Sequence, residues 1–341
     1  MRPAFKLPKL PGFDSFLMLL MASVLLASIL PCRGEGAVIF GWITNAAITL
    51  LFFLHGAKLS REAILAGIGH WRLHLLVAVS TFVLFPALGL AIRALGHGWI
   101  DSRNDLLDGI LFLCVLPSTV QSSIAFTSIA RGNVPAAVCS ATLSNVSGIF
   151  ITPVLVGLTM SGLAKGGHGG VDLHSIQSIA LQLLAPFILG HLSRPLTTRF
   201  ITRHKTLVGR VDRSSILLVV YTAFSAAVVE GLWKRLSAGD IALVLVLDSA
   251  LLAVALVLTT SAARLFGFSR EDEIAIVFCG SKKSLASGVP MAGVLFPPAV
   301  VGPLIVPLML FHQIQLMVCA VMARRYAAGL EARLAVQPVK A

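Results

Sequence analysis

The chain has 341 residues, 57% of them apolar and only 12% charged, and a mean hydropathy of +0.90 excludes a soluble domain with a charged surface. The net charge of +12 would suit a nucleic-acid binder, but the 27 Lys and Arg sit in short clusters between long apolar runs, as membrane-topology determinants do. Lipid bilayer, not nucleic acid, is the expected partner.

Apolar runs of roughly 20 residues cross a bilayer core as helices. In chain order the first half offers Phe16–Leu30, Ala37–Leu54, Leu73–Leu95, an interrupted Leu106–Phe126 and Val134–Met160. The second half offers Ile176–His191, Ser215–Leu232, Ile241–Phe266, an interrupted Ile274–Leu295 and Val300–Met322. The first run follows Arg2, Lys6 and Lys9 like a signal peptide, but Pro31 and Cys32 give no small-residue cleavage site, so it reads as a helix. The fold class expected is all-α integral membrane, with ten segments.

Nineteen Lys and Arg fall on one side of those segments and six on the other, which places both termini in the cytoplasm. Residues 194–214, with six bases, read as a basic cytoplasmic loop between segments 1–6 (residues 1–193) and segments 7–10 (215–325), and 326–341 as a cytoplasmic tail. Five segments per half reverse the entry side of the second half, the geometry of an inverted repeat. The interruptions agree, since segment 4 is the broken one in the first half and segment 9 in the second.

Both interruptions carry polar chemistry. Segment 4 runs from Leu116 into Pro117-Ser118-Thr119-Val120-Gln121-Ser122-Ser123, and segment 9 from Cys279 into Gly280-Ser281-Lys282-Lys283-Ser284. Proline and hydroxyl or amide side chains mark unwound backbone, which membranes tolerate only against protein or a watery cavity. A half-helix starting after such a break offers free N–H groups and a positive dipole end to an anion. The breaks are expected to meet near the midplane and bind something charged.

Lys282 and Lys283 lie some ten residues from either end of segment 9, beyond snorkelling reach, so they read as functional cations. Two adjacent lysines cannot both face one cavity. Asp248 is the one acid deep in an apolar run, and reads as a proton carrier, a cation ligand or a lysine partner. In segment 5, Ser140, Thr142, Ser144, Asn145 and Ser147 suit helix packing, with Asn145 the best ligand among them. Ser80 and Thr81 stand as deep in segment 3 as Asp248 in segment 8, so Thr81 joins the candidates. His55, His312, Gln313 and Gln315 read as boundary or packing groups. The five cysteines, Cys32, Cys114, Cys139, Cys279 and Cys319, have no metal-ligand spacing. No nucleophile–base pair or phosphate loop is present, so an enzyme is not expected and no cofactor is called for. The candidate ion and substrate residues are Thr81, Ser118, Thr119, Gln121, Ser122, Ser123, Asn145, Asp248, Ser281, Lys282, Lys283 and Ser284.

Phe53-Leu54-His55-Gly56-Ala57-Lys58-Leu59, Ala130-Arg131-Gly132-Asn133-Val134 and Thr152-Pro153 resemble the bile acid:sodium symporter superfamily (solute carrier family 10-like). Gly280-Ser281-Lys282-Lys283-Ser284-Leu285 is similar to its branch of bacterial YfeH-type proteins and the seventh mammalian member. The resemblance implies a panel domain of helices 1, 2, 6 and 7, a core domain of helices 3, 4, 5, 8, 9 and 10, and helices 4 and 9 crossing in the core. It also implies symport of a small organic anion by alternating access in a bacterial inner membrane, with Na+ or H+ as coupling ion. The family's first sodium site maps to Ser123, Ile124, Ala137 and Ala141, three of which cannot coordinate through side chains. A Lys282 or Lys283 ammonium would then take the cation's place, with Lys283 matching the mammalian motif. A regulatory membrane protein without transport is the alternative on the same scaffold. No sequence feature specifies an oligomer.

Overall fold

The computed structural model describes residues 15–58, 70–96, 104–160 and 173–336, and among these residues there is no strand. Fourteen helices follow in order: α1 (Ser15–Ile29), α2 (Glu35–Lys58), α3 (Trp71–Gly96), α4 (Asn104–Val115), α5 (Gln121–Ile129), α6 (Val134–Thr159) and α7 (Leu173–Leu192). Then come α8 (Arg194–Arg203), α9 (Lys205–Val229), α10 (Leu232–Arg235), α11 (Ala238–Leu265), α12 (Arg270–Gly280), α13 (Leu285–Leu295) and α14 (Pro298–Val336). The bases Arg2, Lys6, Lys9, Arg61, Arg103, Lys165 and Lys340, used above for orientation, lie outside the described residues.

Six of these helices, α2, α3, α6, α9, α11 and α14, are long and apolar enough to cross a membrane, and α1 and α7 contain shorter apolar stretches. Trp42, Val83, Val246 and Val257 are each more than half exposed, an apolar exterior that suits lipid and not water. The all-α integral membrane class is therefore as expected.

The helix ends follow local chemistry. Asn133 caps α6 by accepting from Ala136 N–H, with Pro135 in the first turn. Ser237 and Asp240 form a reciprocal capping box at α11, and Ser269 precedes a first turn bearing Glu271, Asp272 and Glu273 at α12. Segment 4 unwinds between α4 and α5, over residues 116–120, and segment 9 between α12 and α13, over 281–284.

Three elements differ from the sequence reading. Within the basic stretch 194–214, Arg194–Arg203 are helical and α9 already begins at Lys205, ten residues before the expected start at Ser215. Pro195 suits a first turn, and the stretch has no cluster of turn residues to break it. The last helix runs past Met322 to Val336, because Ala-, Arg- and Leu-rich sequence stays helical beyond the lipid. Segment 3 changes to a π-helical turn at Ser80–Leu84.

In the packing, α2 lies along α7 and α9, and α1 along α9; α4 lies against α3 and α14; α12 touches α3, α5, α6 and α11. The closest of these approaches is between α2 and α7. A Cβ on Gly56 would stand 1.9 Å from Phe187 O, and one on Gly190 2.0 Å from Phe53 O. Only glycine at both positions permits this, a small-residue contact of the kind membrane helices use in place of a hydrophobic driving force. α9 and α7 meet α13, and α9 also meets α14.

Candidate functional site

The two breaks touch backbone to backbone. Ser284 N–H donates to Pro117 O at 2.9 Å, so the expected meeting of the breaks is there. The end of α4 leaves carbonyls with no helical partner, and two side chains supply the donors. Val115 O accepts from the Thr152 hydroxyl at 2.8 Å. Cys114 O and Leu116 O both accept from the Lys283 ammonium, at 2.7 Å each. A third bond from Lys283 Nζ reaches Thr81 O at 2.8 Å, a carbonyl within the π-helical turn. A π turn re-aims backbone groups out of the regular ladder, and such turns recur at functional sites.

An ammonium has three N–H groups, and Lys283 uses all of them. Its Nζ also lies 4.2 Å from the centre of the Phe85 ring, a cation–π contact in a dry setting. Gln315 clamps the backbone behind it, accepting from Lys283 N–H and donating to Lys283 O, both at 2.9 Å. Lys283 and Gln315 are fully buried. One positive charge thus sits at the negative end of the α4 dipole.

Lys282 is also fully buried but less tightly held. Its Nζ donates to Ser122 Oγ at 3.2 Å and lies 4.6 Å from the Phe126 ring centre and 5.8 Å from that of Phe278. Ser123 Oγ donates to Phe278 O at 2.8 Å, and Ser281 Oγ to Val277 O at 2.6 Å, so hydroxyls satisfy the end of α12.

A cavity of about 490 Å³ opens beside the crossing, within the range of small-molecule sites. Thr119, Gln121, Ser122, Asn145, Ser284, Ser287 and His312 line it, together with His55, Arg210, Asp212 and Arg213. The first turns of α5 and α13 are part of that lining. No side chain caps α5, whose N-cap position is Val120, so its leading N–H groups have no side-chain acceptor. At α13, Ser284 Oγ accepts from Ser287 N–H at 3.2 Å, and Ser287 Oγ donates to Asn145 Oδ1 at 2.7 Å. Asp212 is paired with Lys58.

Of the residues singled out from sequence, Thr119, Gln121, Ser122, Asn145 and Ser284 line the cavity. Thr81, Ser118, Ser123, Ser281, Lys282 and Lys283 are buried in the crossing, where Ser118 N–H donates to Ser144 Oγ at 3.0 Å. Neither lysine lines the cavity; both ammonium groups face the crossing. Asp248 is buried in α11, and neither carboxylate oxygen has a hydrogen-bond partner. The ion pair of Asp248 with a lysine does not form, because carbonyls already occupy the Lys283 ammonium.

Sequence reasoning missed Ser287, Arg210 and Arg213 as cavity residues and treated His312, His55 and Gln315 as packing or boundary groups. Ser287 had a signal, three residues after Ser284 in the first turn of a half-helix. Gln315 had another, as an amide inside an apolar run. Arg210 and Arg213 were counted only as topology bases.

A family model described as the SBF-like CPA transporter family matches residues 14–328. The chain belongs to that family. The Pseudomonas aeruginosa protein PA2026 is 59% identical over 314 residues, 92% of this chain and 93% of its own. The Escherichia coli protein named "Putative symporter YfeH" is 55% identical over 315 residues, 92% of each chain. The mouse protein named "Sodium/bile acid cotransporter 7" is 28% identical over 288 residues, 82% of each chain. As a member of the SBF-like CPA family, the chain is a multi-pass membrane transporter of the bile acid:sodium symporter type, and it is not an enzyme.

Proposed function

We propose that this transporter carries a small organic anion by alternating access. The observation that carries the reading is the cavity. Two half-helix N-termini, hydroxyl and amide donors, and Arg210 with Arg213 converge on one space, and an anion is the ligand that such dipoles and bases stabilise. Residues from the base-rich ends of α2 and α9 line its mouth. With that side cytoplasmic, in a bacterial inner membrane, the cavity faces inward.

Counting each interrupted pair as one crossing, we read ten crossings in two inverted five-helix repeats. In that reading α1, α2, α7 and α9 form the panel, the remaining crossings form the core, and the cavity lies between the two. Lys283 is a tethered cation: its ammonium takes the place a free ion would hold at the carbonyls of the α4 terminus. Of the family-site positions only Ser123 carries a side-chain oxygen, and its hydroxyl proton goes to Phe278 O; Ile124, Ala137 and Ala141 offer no side-chain oxygen, which leaves one side-chain ligand for a sodium ion. Asp248, unpartnered in the core, is the residue through which a coupling proton would act.

The test is a thermal-stability screen of the purified protein against carboxylates, sulfonates and phosphates in sodium and in potassium buffer. Stabilisation by one anion class, equal in both salts, supports the reading. Stabilisation only by cations or neutral solutes would contradict it.

A further inference from the structure

The connection between α7 and α9 contributes no residue to the lining of the cavity. α8 packs on α2, α7 and α9 through one face, burying Ile201. The outward arc is different. Leu196 is 86% exposed and Phe200 55% exposed, and at about 100° per residue they fall within about 40° of each other. Arg199 and Arg203, both exposed, occupy the adjoining arc. Exposed Leu192 and Leu207 flank the helix, and exposed Lys205 follows it.

We propose that α8 lies in the membrane surface and binds anionic phospholipid headgroups of its own leaflet, anchoring the α2–α7–α9 body to the bilayer. The position suits this, because α8 follows directly on the apolar end of α7 at Leu192 and leads into α9. Leucine and phenylalanine on one arc with guanidinium groups beside them is the division that an interfacial helix needs, apolar side to acyl chains and basic side to phosphate. Charge complementarity selects anionic lipid. Between Leu192 and Val211 there is no acid, and the first one, Asp212, is already paired with Lys58. A second copy of the chain is a poorer occupant, since a two-fold contact would set Arg199 and Arg203 against their own equivalents.

The experiment uses the full chain in nanodiscs of phosphatidylcholine with or without phosphatidylglycerol. Wild type should gain thermal stability from phosphatidylglycerol and lose that gain in high salt. The variant Arg199→Gln/Arg203→Gln/Lys205→Gln should bind the anionic lipid more weakly by roughly fivefold for each base removed. A second variant, Phe200→Trp, should show indole fluorescence quenched by acyl-brominated lipid beyond the wild-type background. Equal behaviour in both lipids, an unchanged response in the triple variant, or an unquenched, water-exposed indole would each overturn the proposal. So would a dimer in nanodiscs that buries residue 200 against protein.

Discussion

The two sides of the helix crossing differ in what their polar groups do. On the Lys283 side every N–H of the ammonium has an acceptor: the three meet three carbonyls at 2.7–2.8 Å, and Gln315 closes the backbone. On the cavity side the leading N–H groups of α5 have no side-chain cap, and Arg210 and Arg213 border open space. A charge that is fully paired and buried holds a structure together, whereas donors facing a cavity are available to a ligand. The strongest sequence signal, the lysine pair, therefore marks the structural side, and the binding side is written in weaker signals.

The largest effect expected from breaking this division is at Lys283. Lys283→Ala leaves three buried carbonyls without donors, each costing about 1–3 kcal/mol, so thermal unfolding should shift down by roughly 5–15 °C at about 2 °C per kcal/mol for a chain of this size. Lys283→Arg should recover only part of this, because a planar fork does not fit three converging carbonyls. Unfolding that matches wild type in Lys283→Ala would remove the structural role.

The cavity side should respond in the opposite way. Arg210→Gln and Arg213→Gln should leave the unfolding temperature near wild type and weaken binding of a stabilising anion about tenfold each, the worth of one charge-assisted hydrogen bond. Isothermal titration with the best anion from the screen measures it. Loss of stability without loss of affinity would show that these arginines are structural.

Lys282 should fall between them. Lys282→Ala removes one 3.2 Å bond and two ring contacts, worth about 1–2 kcal/mol together, so a drop in unfolding temperature smaller than that of Lys283→Ala is expected. An equal or larger drop would reverse the ranking of the two lysines.

The smallest perturbation is a map of access. Cysteine at Gln121 or Ser122 should react with small aqueous thiol reagents, and cysteine at Ser123 should not, since Gln121 and Ser122 line the cavity and Ser123 is fully buried. Uniform reactivity across the three would erase the boundary between the dry and the wet side.

Much of the architecture was legible because lipid imposes it. Run length announced the apolar helices, six of them long enough to span a membrane, and Pro117 and the Lys282-Lys283 pair announced both interruptions. The π-helical turn was not read, although it had a signal: Pro86, just after Ser80–Leu84, has no N–H to return to the preceding turn, and Lys283 supplies a donor to Thr81 O there. The burial of both lysines was not legible either, because sequence gives depth in the membrane but not rotation about the helix axis. Arg210 and Arg213 precede the apolar part of α9, where bases read as topology determinants by default, and only the packing of α9 puts them in the cavity lining. The 194–214 stretch shows the same limit: its charge was plain, and its helix followed from the lack of any strong breaker.

The central claim is that the Lys283 ammonium is a tethered cation at carbonyls that would otherwise hold a free one. The most direct test is chemical rescue of Lys283→Ala, measuring its thermal unfolding in sodium, methylammonium and choline chloride at equal ionic strength. Saturable stabilisation by sodium or methylammonium over choline, with no such difference in wild type, is the predicted result. A variant whose stability is the same in all three salts would contradict it.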